Sequence, residues 1–235
     1  MNRLAKSTLR WLAMGSGVAA GAYGAYVATT WYRYGRPRLP RSEEADALLD
    51  RFMPEYEVVE RHHMRIAAPA EITLATAGDI DPDESAVIRA IFKARELILR
   101  SEPGKRLAPG GLLAQTKALG WAALAEVPGR EIVMGAVTQP WAKNVVFRAV
   151  APDRFADFDE PGYVKIVWTL RADPISDTES IFRTETRATA TDAEARARFR
   201  LYWAFLSLGI NLIRRMMLGP QRREAERRFY EHCNS

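Results

Sequence analysis

Cysteine is nearly absent from this chain. The single one, Cys233, stands third from the C-terminus, so no intrachain disulfide forms and zinc sites built from several thiolates are excluded. Histidine is scarce as well: there are three, and two of them, His62 and His63, are adjacent. No His-Glu-x-x-His, phosphate-cradling glycine loop or Gly-x-Ser-x-Gly occurs. The common metal, nucleotide and nucleophile-elbow chemistries therefore lack support, and no metal or cofactor is expected. Acidic residues are missing from the first 41 positions, which hold seven basic ones.

What is present is ordinary globular material. The 235 residues are 48% hydrophobic and 27% charged, which rules out disorder and collagen-like repetition and fits one domain with an appendage. The formal charge of +5 is unevenly spread. Residues 1–41 carry +7, and residues 192–235, with nine arginines and five acidic groups, carry +4; the body between them carries −6. A net-acidic body argues against nucleic-acid binding, and basic ends point to a lipid headgroup surface.

Residues 11–32 form a run of 22 positions without a charge, bordered by Arg3, Lys6 and Arg10 before it and by four arginines after it. At about 1.5 Å per residue, such a helix reaches across a hydrocarbon core of about 30 Å. Trp11, Trp31, Tyr32 and Tyr34 suit the headgroup level. The run predicts a single-pass anchor and hence a membrane location, with a cleaved signal peptide as the competing reading. The basic flanks nearly tie, so they leave the side of the folded domain undecided. Gly17, Gly21 and Ala25 recur on one helix face, a small-residue stripe through which two copies would pack as a homodimer. The division expected is a basic tail over 1–10, the anchor over 11–32, a basic and proline-bearing linker with a short helix over 33–53, and a folded domain over 54–235.

Within that domain, Tyr56 to Ile66 alternates as a half-buried strand, with Glu60 and His62 on its inner face and Arg61 and His63 on the other. Short helices are expected near 70–77 and 111–118, an amphipathic helix over 83–100, and a loop over 101–111. Five strands then follow, over 121–127, 131–139, 144–150, 162–172 and 180–189, separated by Pro- and Gly-bearing turns; their succession implies an antiparallel meander. Asp192 caps a long closing helix in which Gly209 predicts a kink.

This order resembles the START-type helix-grip (SRPBCC) superfamily across residues 55–218. The resemblance rests on the strand running into Ala67-Ala68-Pro69-Ala70-Glu71, on Pro128-Gly129-Arg130-Glu131 and on the closing helix. Glu160-Pro161-Gly162-Tyr163, Thr184-Glu185-Thr186-Arg187 and Phe199-Arg200-Leu201-Tyr202-Trp203 look like those of an uncharacterised bacterial branch. It implies an α+β fold, a curved antiparallel sheet around a long C-terminal helix, with a cavity between them. The anchor and the long insertion after the first strand depart from the common pattern.

Candidate site residues follow from the faces. Trp168, Phe182, Thr184, Thr186 and Trp203 would line a cavity and orient an apolar ligand with one polar end; equally, they form a packed core with two satisfied threonines. Arg183, Glu185 and Arg187, beside Lys165, Thr169 and Arg171, read as a solvated ladder with Glu185 pairing to Lys165 or Arg183. Glu60, His62 and Glu126 are the weak candidates for acid–base chemistry, since burial raises a carboxyl pKa. A membrane-anchored carrier of a lipid-like molecule is expected ahead of catalysis. A cyclase- or dehydratase-like enzyme is the first alternative, and an interaction module that dimerises through its membrane helix is the second.

Overall fold

The computed structural model describes residues 3–81, 90, 93, 97 and 110–234. The expected amphipathic helix over 83–100 and the loop after it fall largely outside the described residues.

Strands β1 (Val58–Ile66), β2 (Ala122–Val127), β3 (Glu131–Thr138), β4 (Phe147–Arg148), β5 (Val164–Ser176) and β6 (Glu179–Ala190) form one sheet. Its order is β1-β6-β5-β3-β2, with every pairing antiparallel and β4 attached to β3. The first strand therefore lies beside the last. The expected strand over 144–150 shrinks to two residues, and β5 pairs directly with the full length of β3. Gly120, at φ +98°, turns the chain into β2, and a Cβ there would stand 2.3 Å from the carbonyl oxygen of Phe147 in β4. Gly120→Ala is expected to cost about 2–3 kcal/mol, read by urea denaturation, because positive φ and a backbone clash coincide.

The closing helix runs unbroken from Ala193 to Cys233, capped by Asp192, whose side chain accepts from the Ala195 amide. It continues through Gly209, contrary to the expected kink, because packing along the sheet outweighs the weak helix preference of one glycine. Two apolar clusters lie between this helix and the inner sheet face. One gathers Phe199, Trp203, Tyr34 and Val58; the other gathers Trp168, Leu170, Phe182 and Ala225.

The outer sheet face is also covered, which corrects the reading of a solvated charge ladder. Residues 34–57 cross it as a strap, and Leu49, Phe52 and Met53 pack on Val133, Val137 and Val167. The short helix in this strap is Ala47–Asp50, capped by Asp46, and a single 3-10 turn, Ser42–Glu44, precedes it. Under the strap, Arg187 is 1% exposed. It donates to Glu185 at 2.6 Å, to Asp50 at 2.5 Å and to the Met53 carbonyl at 2.7 Å. Glu185 pairs with Arg61 and Arg187, and not with Lys165 or Arg183. Arg171 and Arg183 stand directly opposite each other, and the Asp173 carboxylate, 2.8 Å from each, offsets their repulsion.

The N-terminal helix spans Arg3–Arg33 and so absorbs most of the expected basic tail. Among the described residues, no helix is long and apolar enough to cross a membrane. The expected spanning helix is not met for a compositional reason: ten of residues 11–32 are Gly or Ala, whose transfer from water returns little free energy. The end of this helix is instead tied to the closing helix. Tyr23 Oη donates to the Phe205 carbonyl at 2.8 Å, Tyr26 Oη lies 2.9 Å from Ser207 Oγ, and the Arg200 guanidinium stacks over Trp31.

Candidate functional site

Alternation along β1 and β6 builds the site. Glu60 faces Thr186 and His62 faces Thr184 across the antiparallel pair, so all four side chains share the inner face. Across β6, Thr186 stands opposite Trp168 and Thr184 opposite Leu170. The closing helix passes over this patch with Asn211 and Arg214, three residues apart and hence on one helix face. Asn211 Nδ2 donates to Glu60 Oε1 at 2.9 Å, and Arg214 Nη1 reaches Thr184 Oγ1 at 3.4 Å. The result is a polar island between the two apolar clusters of the grip.

Its hydrogen bonding is incomplete. His62 Nε2, Thr186 Oγ1 and Asn211 Oδ1 are buried without a hydrogen-bond partner among the described residues. A buried orphan costs about 1–3 kcal/mol each, so three in one place call for an explanation. Desolvation dominates the electrostatics. It raises the Glu60 pKa, against the opposing pull of Asn211, Arg214 and Arg215. It lowers His62 to about 4, helped by Arg214, Arg215 and His63. It lowers Arg214 to about 10, and only the charge of Glu60 opposes it.

The His62 shift has a pH signature. Its folded pKa lies below the usual 6.5, so the unfolded chain binds the proton first and stability falls as pH drops from about 6.5 to about 4. Glu60 works in the opposite direction, since a raised carboxyl pKa weakens the fold as pH rises. His62→Gln is expected to flatten the acid-side fall of Tm in that window; an unchanged pH profile would show that His62 binds its proton equally well folded and unfolded.

Other sequence candidates lie elsewhere. Glu126 is exposed on β2 and outside the island. On the neighbouring strand Glu131, at the start of β3, is buried and accepts from Thr169 at 3.0 Å. Burial and then the adjacent Asp46 carboxyl raise its pKa. This pair lies under the strap, on the opposite sheet face. Trp168 and Phe182 pack in one apolar cluster and Trp203 in the other, flanking the island in which Thr184 and Thr186 stand. Gly17, Gly21 and Ala25 are exposed on the N-terminal helix.

No protein-family model matches the sequence, nor does any curated protein. Among solved structures, the fold is similar to the Zhui aromatase/cyclase from Streptomyces sp. R1128, at 13% identity and a TM-score of 0.27, over 72% of this chain and 94% of that one. It is also similar to norcoclaurine synthase from Thalictrum flavum, at 12% identity and a TM-score of 0.23, over 73% and 97% of the two chains.

Sequence patterning alone misses Asn211 and places Arg214 among lipid-facing arginines. A signal is nevertheless there: Asn211 is the one amide in the apolar run from Phe205 to Ile213, and Arg214 follows on the same face. A separate groove of about 520 Å³ near Tyr34 and Arg200 is a weaker candidate. Its central carboxylate is already matched, with Glu57 bonded to Tyr34 and ion-paired with Arg196.

Proposed function

We propose that this chain binds an apolar, lipid-like molecule carrying one polar or anionic end, held between the sheet and the closing helix. The observation that carries this reading is the set of three orphaned polar atoms around a desolvated arginine. Arg214 has one long contact to Thr184 and no carboxylate within ion-pair distance among the described residues, so an anionic group arriving there would gain a charge-assisted bond. The orphaned His62, Thr186 and Asn211 atoms would complete its coordination. Trp168, Phe182 and Trp203 supply apolar surface on either side for the rest of the molecule. Organic extraction of the purified protein and mass spectrometry are expected to return an apolar acid or alcohol near one equivalent. An empty extract, together with no rise in Tm on adding long-chain fatty or isoprenoid acids, overturns the proposal.

A second reading is catalytic. Burial shifts Glu60 toward its protonated form and His62 toward its neutral form, and the two stand two residues apart on one face. A cyclase- or dehydratase-like conversion of the bound polar end would use them as acid and base. Glu60→Gln and His62→Gln would then abolish turnover of a bound compound while leaving its retention intact; loss of retention alone supports the binding reading.

A further inference from the structure

The closing helix carries an apolar stripe that the described fold leaves about half exposed. Leu201, Phe205, Leu208 and Leu212 follow one another at intervals of four, three and four residues, so they line one side of the helix. They are 54%, 47%, 44% and 43% exposed. Their carbonyl and side-chain neighbours on the next face hold the N-terminal helix through Tyr23 and Tyr26, which fixes that second helix alongside the stripe. The N-terminal helix adds its own exposed apolar groups, with Val18 at 74% and Tyr32 at 68%. A buried core residue would not tolerate such exposure without loss, and a run of them on two adjoining helices marks a contact surface.

Charge selects the occupant. The N-terminal helix and the segment after it carry no acidic residue up to position 42. On the closing helix, Arg215, Arg222 and Arg223 are exposed within about three turns of Leu212. Arg198 lies beside the stripe too, but Glu194 neutralises it at 2.5 Å. We propose that this two-helix face lies on the surface of an anionic bilayer, with the leucines and Phe205 at the acyl boundary and the arginines on the headgroups. The attachment is peripheral, so it needs no spanning helix, and it stands whether or not the interior holds a ligand.

Co-sedimentation of the full chain with vesicles tests this. Binding to phosphatidylcholine vesicles containing phosphatidylglycerol is expected, with weaker binding to pure phosphatidylcholine and a decline as salt is raised. Leu208→Glu with Leu212→Glu is expected to weaken binding at least about tenfold, and Arg215→Ala about fivefold. Both sets lie on the surface, so an unchanged circular dichroism melt accompanies them. Equal affinity for both vesicle types, or no effect of the glutamates, overturns the proposal. So does a concentration-dependent dimer in light scattering that the glutamates, or Gly17→Leu with Gly21→Leu, dissolve, because the face then belongs to a second copy.

Discussion

Replacing Arg187 with alanine is expected to destabilise the fold by about 3–5 kcal/mol, the usual cost of breaking a buried ion pair from one side. The guanidinium is the hub of the outer sheet face, where it joins β6 to the strap through Glu185, Asp50 and the Met53 carbonyl. It also stacks on Tyr56, 4.6 Å from the ring centroid. Removal leaves Glu185 with Arg61 alone and the Met53 carbonyl without its donor. It also frees the strap that covers Val133 and Val167. In a chain of this size the loss corresponds to a fall in Tm of about 10 °C. Urea denaturation gives the equilibrium value, and hydrogen exchange at Leu49 to Met53 tells whether the strap opens first. A loss below about 1 kcal/mol would show that the hydrophobic contacts of Leu49, Phe52 and Met53 hold the strap unaided.

Arg214→Met separates structure from function by sign. Arg214 is desolvated enough to lower its pKa to about 10, yet its bond to Thr184 is 3.4 Å long. A charge held in that state contributes little to folding, and replacing it with an apolar side chain of similar length is expected to be neutral or mildly stabilising. Retention of an anionic apolar ligand is expected to fall about 100-fold, the loss of one strong charge-assisted bond. Thermal unfolding without ligand and a titration with a long-chain carboxylate give the two readouts. A variant that unfolds below wild type and binds as wild type would assign Arg214 to the scaffold. Lowered stability with lost binding would mean that the arginine orders the helix before any ligand arrives.

The two substitutions differ because the two sheet faces differ. On the outer face, cations and anions alternate between strands and strap around Arg187 and Asp173, and the adjacent Glu131 and Asp46 carboxyls are the exception. On the inner face, one amide and one guanidinium meet two hydroxyls, a carboxyl and an imidazole, and the donors and acceptors do not close. Satisfied networks rigidify, whereas unsatisfied ones leave a desolvation cost in place.

Legibility in the sequence followed the range of the interaction. Strand alternation alone places Glu60 with His62, and Thr184 with Thr186, because successive side chains in a strand point to opposite sides. Asp192 marks the start of the closing helix because a cap acts within one turn. Pairing of β1 with β6 brings these two sets onto one face, yet it joins residues more than a hundred positions apart and no local signal specifies it. The expected length of β4 is too great because Val145 and Val146 carry strand propensity without a partner strand beside them.

By itself, the sequence determined which residues of a strand share a side, where the chain turns, and that both ends are basic, since these depend on neighbours in the chain. Only the tertiary structure decided what covers each face. It laid residues 34–57 over the charged ladder, turning a surface feature into a buried network around Arg187. It also brought Asn211 to Glu60 across 151 positions. Periodicity records the direction of a side chain, whereas burial depends on a distant segment arriving to exclude water, and that is settled only when the whole chain has packed.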